Sequence, residues 1–194
     1  MNLFLLFVFA INSAKSEPAT TCNQYEVSNQ YSEMLKHDKK IREIYLESLR
    51  LEKIENSTQH HDQRLIWGNA MQKIDRAHQT KLDELVQSCG WPSSTNLSTS
   101  LLSAAFMVIQ HADLDYQLRY LPLIKESAMR KEITPISLAM LEDRILIQQG
   151  IAQKYGTQYK INDQGVWELL PVLDGDNLNK RRLEIGLTVL PGFP

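Results

Sequence analysis

What the sequence lacks narrows it first. Its 194 residues include only two cysteines, eight glycines and seven prolines, which excludes a collagen-like chain, a Pro/Gly-rich disordered segment and a small scaffold dense in disulfides. Neither sign of charge dominates. Twenty-one Lys and Arg face 23 Asp and Glu, a net charge of −2, so the basic balance expected of a nucleic-acid or anionic-membrane binder is missing. After the first residues no apolar run approaches the roughly 20 residues needed to span a bilayer. There is no Gly-x-Ser-x-Gly elbow, Gly-rich phosphate loop, His-Glu-x-x-His or Cys-x-x-Cys, and each of these would place a specific chemistry. Asp174-Gly175-Asp176-Asn177 is too short for a calcium loop. His60-His61 has no following ligand spacing of the kind zinc sites use. The sequence therefore asks for no metal and no cofactor.

What remains is an ordinary globular composition, 43% hydrophobic and 23% charged, preceded by a leader. Leu3 to Ile11 is continuously apolar, the length of a signal-peptide core and too short for a mature transmembrane helix. Ala14 and Ser16 are small residues two apart, as a signal peptidase requires, so residues 1–16 read as a signal peptide. No Lys or Arg precedes the apolar run, so the positive charge there comes from the amino terminus alone. The expectation is a periplasmic or secreted protein with one helical domain over residues 17–194. Cys22 and Cys89, an even pair in an exported chain, read as a disulfide. Two buried free thiols are the alternative.

The pattern of apolar residues is mainly helical. Tyr31, Met34, Leu35, Ile41, Ile44, Tyr45 and Leu49 recur at three and four residues and predict a long helix from about 25 to 54. A second, about 59–88, follows Asn56-Ser57-Thr58 and ends at Gly90-Trp91-Pro92. A third, about 97–112, is apolar on nearly every side, which makes it the central helix. A fourth, about 114–130, carries Pro122 in its middle, where a kink or break is expected. Thr134-Pro135 caps a fifth that runs to Gln149. Two β-prone arms around Asn162-Asp163-Gln164-Gly165 predict a hairpin, and a short helix follows near 177–186. The fold class is thus mainly α: an irregular bundle of about five helices with a small C-terminal β-hairpin.

Several polar residues sit where such a bundle should be apolar. Asp143 shares a helix face with Ile136, Met140 and Ile147. A buried carboxylate needs a partner, so Asp143 is either a structural ion pair or cap, or a functional acid. His111 and Asp113 end the third helix. Being two residues apart they point about 160° from one another in a continuous helix, and they converge only if the helix stops between them. Helix-end capping is the other account of them. His78, with Asp75 nearby, reads as a satisfied core histidine. Gln153, Tyr155, Thr157 and Gln158 surround Gly156 before the hairpin and offer hydroxyl and amide groups to a polar ligand, or to buried backbone.

Asp62-Gln63, Gly90-Trp91-Pro92, Gln110-His111-Ala112-Asp113, Asp143-Arg144 and Tyr155-Gly156-Thr157-Gln158 occur in an order that resembles the bacterial domain of unknown function numbered 6624. Arg181-Arg182 and Gly186-Leu187 are similar to the end of that family's pattern. The resemblance covers about residues 60–188. It implies a bacterial, mostly helical domain and no particular activity.

Two functional expectations follow. In the first, the chain is a hydrolase, a lyase or a ligand-binding domain acting on a small molecule or envelope component. His111 is its general acid or base, since imidazole titrates near neutrality, and Asp113 or Asp143 assists. Arg144 or Arg182 holds an anion, and Gln110, Gln153, Tyr155, Thr157 and Gln158 complete the pocket. In the second, it is a non-catalytic module, an inhibitor, an immunity-type protein or a partner-binding scaffold, and the same residues fix the fold. Neither expectation involves nucleic acid or stable membrane insertion.

Overall fold

The computed structural model describes residues 22–55, 57–162 and 164–194. The leader read over residues 1–16 lies outside them. The fold is mainly helical: α1 (Gln24–Glu55), α2 (Thr58–Cys89), α3 (Thr99–Gln110), α4 (Leu114–Met129), α5 (Pro135–Gln148) and α6 (Leu178–Glu184). A hairpin of β1 (Tyr159–Ile161) and β2 (Trp167–Leu169) stands between α5 and α6. The predicted short last helix makes the sixth.

Helices α1 and α2 form an antiparallel pair, each about 48 Å long at 1.5 Å per residue. Ser57 caps α2 by accepting the His60 amide. The pair is tied at its open end by the Cys22–Cys89 disulfide, with Cα atoms 5.2 Å apart across a sequence separation of 67. Only the half nearest this bridge enters the core: Val27, Tyr31 and Met34 of α1 and Leu82 and Leu85 of α2 pack with the apolar faces of the remaining helices. The other half of the pair leaves Leu46, Ile54, Leu65, Ile66 and Trp67 exposed, with the hairpin turn at Gly165 against Lys53 near its end. Glu52 clasps its end by pairing with His61 and Arg64 of the facing helix.

As its composition demands, α3 is central. Leu102, Ala104, Ala105, Phe106, Val108 and Ile109 are all buried, and α3 touches α1, α2, α4 and α5. Alanines let neighbouring helices approach it closely on one side. Helix α4 runs unbroken through Pro122. Pro122 and Leu118, whose carbonyl loses its partner at i+4, are both exposed, so water can satisfy the freed group and the helix continues. Thr134 accepts the Ser137 amide at 3.0 Å with Pro135 in the first turn, as the sequence indicates.

The hairpin pairs Tyr159 with Leu169 and Ile161 with Trp167. Its loop is closed by Asn162 Oδ1, which accepts the amides of Gln164 and Val166. Side chains of the hairpin, Tyr159 and Trp167, border one cavity with Met140 and Arg144 of α5, and a side-chain atom at Gly165 would stand 3.4 Å from Lys53 of α1. Among the described residues, no helix is long and apolar enough to cross a membrane.

Candidate functional site

The residues singled out by sequence fall into three places. The first is a clasp around the segment before the hairpin. Asp143 is fully buried and accepts the amides of Lys154 at 2.7 Å, Tyr155 at 3.0 Å and Thr157 at 3.1 Å, with the Thr157 hydroxyl at 2.9 Å. Three converging amides and a hydroxyl supply the partners that a buried carboxylate requires. Gln153, also fully buried, accepts the Gln158 amide and donates to the carbonyls of Gln158 and Leu170. Arg182 donates to the carbonyls of Tyr155, Gly156 and Thr188. Gly156 has φ +67°, a backbone shape that favours glycine, and a Cβ there would stand 2.9 Å from the Leu190 side chain. Here Asp143, Gln153, Tyr155, Thr157 and Arg182 do come together, but chiefly on one another and on backbone.

The second place is a polar junction where α1, α2 and the end of α3 meet. Helix α3 does stop at His111. Asp113, however, is exposed and caps α4 by accepting the Tyr116 amide at 3.0 Å. His111 turns instead to α1, where its Nδ1 lies 2.8 Å from Asp38 Oδ1. Arg42 Nε lies 3.1 Å from the same oxygen, and its Nη2 donates to Asp75 of α2 at 2.5 Å. Burial pushes the Asp38 carboxyl up, but the hydrogen bonds and charges of His111 and Arg42 outweigh it and hold the group below the ordinary carboxylate range. Asp75 goes the other way: burial and the neighbouring Asp38 charge prevail over Arg42 and His111 and raise it. His78, buried beside them and stacked on His37, is lowered by burial first, against the pull of Asp38. Asp38 escaped the sequence reading, although a signal was present, and Arg42, which by sequence belongs to the charged, solvated face of the first helix, is instead drawn into the junction by Asp38 and Asp75. Asp38 stands seven residues after Tyr31, four after Met34 and three before Ile41, a carboxylate on the apolar stripe of α1.

The third place is a cavity of about 490 Å³ between α5 and the hairpin, lined by Met140, Arg144, Thr157, Gln158, Tyr159 and Trp167. Arg144 is half-buried, and its Nε is fully buried without a hydrogen-bond partner. Burial and the charge of Arg42 lower its pKa, and Asp75 opposes them. Asp75 is already engaged by Arg42, so no carboxylate among the described residues pairs with Arg144. Gln158 spends its side-chain N–H groups on the Met140 carbonyl and Thr157 Oγ1. Gln110, buried in α3, reaches the same Met140 carbonyl at 3.5 Å and leaves its own Oε1 unpartnered. The two orphaned polar atoms thus belong to residues that flank Met140. Among the described residues, no group of three or more His, Cys, Asp or Glu is placed to hold a metal ion.

Fold and site define a helical bundle whose C-terminal hairpin borders a small open cavity that holds one cation, Arg144. The chain belongs to the family of unknown function DUF6624, whose pattern matches residues 49–193. That match is longer than the motif region at both ends, yet leaves Asp38 and Arg42 outside it. No curated protein and no solved structure matches the chain.

Proposed function

We propose that the protein is an exported ligand-binding domain for a small anionic molecule, with Arg144 as the group that holds the anion. One observation carries this reading: the Arg144 guanidinium lies at the wall of a cavity with its Nε unpartnered, the nearby Asp75 being engaged by Arg42. Leaving such a group unpaired costs stability, and natural chains tolerate that cost chiefly where a ligand supplies the partner. Thr157 and Gln158 line the same cavity. Asp143, Gln153 and Arg182 fix the backbone that presents them, and Gln110 supports the floor at Met140.

If turnover follows binding, His111 is the residue for proton transfer. Its Nδ1 is held between Asp38 Oδ1 and Arg42 Nε, which leaves Nε2 for exchange, so Asp38 and Arg42 take the orienting role that sequence assigned to Asp113 or Asp143. Arg42 joins this pair to the electrostatic surroundings of Arg144. Export, to the periplasm or beyond, is supported by the leader and by the disulfide, which persists in oxidising compartments. A protein partner on the far half of the α1–α2 pair is a second reading, favoured by the exposed Leu46, Ile54, Leu65, Ile66 and Trp67.

The test is a titration of acetate and of inorganic phosphate followed by thermal melting. At least one should raise the melting temperature of the wild type and leave that of Arg144→Gln unmoved. Equal responses, or none in either protein, would remove the proposal.

A further inference from the structure

The cavity has a second wall that an anion alone does not use. The hairpin register places Tyr159, Ile161, Trp167 and Leu169 on one face, and Lys160 and Glu168 on the other, where they pair at 3.6 Å. Tyr159 and Trp167 line the cavity with Met140 and Arg144, yet remain 40% and 59% exposed. A sheet of two three-residue strands gains little from an indole standing in water. Exposed aromatic rings at the mouth of a polar cavity are the usual means of covering a flat apolar or sugar surface. Neither ring carries the guanidinium of Arg144 over its face, since the cation–ring contacts of the described residues are Arg119 on Tyr116 and Lys154 on Tyr155. The rings and the cation are therefore separate binding elements.

We infer that the ligand is a carboxylate borne on a ring: Arg144 takes the carboxylate, and the Tyr159–Trp167 face lies along the ring. This rests on the anion-binding reading above and adds a ligand class to it. The volume, about 490 Å³, lies within the range of small-molecule sites and suits one ring with its substituents. An aromatic acid and a sugar acid share this chemistry.

The experiment is a nuclear magnetic resonance titration of the full mature chain with acetate, benzoate, glucuronate and glucose. Benzoate or glucuronate should bind at least about tenfold more tightly than acetate, a difference of roughly 1.4 kcal/mol, and glucose should not bind. Whichever ring acid gains identifies the aromatic or the sugar source. Trp167→Ala, at an exposed position, should bring the preferred ring acid to within about threefold of acetate. Tyr159→Ser should do the same in part. If acetate binds as well as both ring acids, or Trp167→Ala preserves the preference, the ring assignment is wrong while anion binding stands. If no acid binds, or Arg144→Gln binds them all like the wild type, the underlying reading fails.

Discussion

His111 Nδ1 lies 2.8 Å from Asp38 Oδ1, a carboxylate 73 residues earlier in the chain, and makes no bond to Asp113, two residues later. The two aspartates should therefore behave differently. Asp38→Ala leaves Arg42 and His111 facing an empty site in a largely buried junction and should cost roughly 2 to 4 kcal/mol. Asp113→Ala removes one helix cap and should cost about 1 kcal/mol. Urea unfolding of both variants checks the order. A larger loss for Asp113→Ala would contradict the placement of His111.

Arg144 should respond in the opposite sense. An ion-paired structural arginine loses stability when replaced, whereas one held half-buried and unpaired relieves a desolvation cost on becoming neutral. Arg144→Met in anion-free buffer should equal or exceed the wild type by up to about 2 kcal/mol, measured by the denaturation midpoint. Asp143→Ala one residue away should cost roughly 3 to 5 kcal/mol, because it orphans three amides and a hydroxyl.

The junction also sets a pH dependence. Asp38 is held below its ordinary value of 3.8, so its contribution is complete above that pH and is lost as pH falls through the lower folded value. His78 is lowered from 6.5. The neutral ring is preferred in the folded state, so its contribution is complete above 6.5 and declines as pH falls toward the folded value. The stability difference between wild type and His78→Gln should therefore shrink on going from pH 7.5 to 5. The difference for Asp38→Asn should hold over that span and shrink only below about 4. Unfolding free energies at four or five pH values give both profiles.

The disulfide and the leader are tested together by the mass of the protein recovered from an exporting host. Absence of residues 1–16 and loss of two hydrogens is the expected result. Cys22→Ser with Cys89→Ser should cost about 4 kcal/mol, because the bridge closes a 67-residue separation. Retention of the leader in the recovered protein would remove the export proposal.

Much of the fold was legible because it is written locally. The Thr134-Pro135 cap, the Gly90 stop, the all-apolar α3 and the hairpin loop each need only a few neighbouring residues. Pro122 shows where a local rule was too strict, since a proline on a solvent face need not end a helix. The site was partly legible. A carboxylate on an apolar stripe pointed to Asp143, and the same argument applied to α1 would have found Asp38. The cap reading of Asp143 matches its bonds to the amides of the following loop, whereas the partner of His111 was not legible, since it met a helix it does not adjoin in sequence. That Arg144 and Trp167 border one cavity depends on where the hairpin sits relative to α5, which is a tertiary choice that no spacing within either segment records.

The central claim is that the Arg144 guanidinium is the group that takes a ligand anion. Its Nε–H resonance, assigned by loss in Arg144→Lys, reports this directly in a proton–nitrogen spectrum. Adding benzoate should move that resonance saturably, with the same dissociation constant as the backbone amides of Thr157 and Gln158. A resonance that stays in place while benzoate shifts other parts of the protein, or that benzoate leaves unmoved at every concentration, would contradict the account.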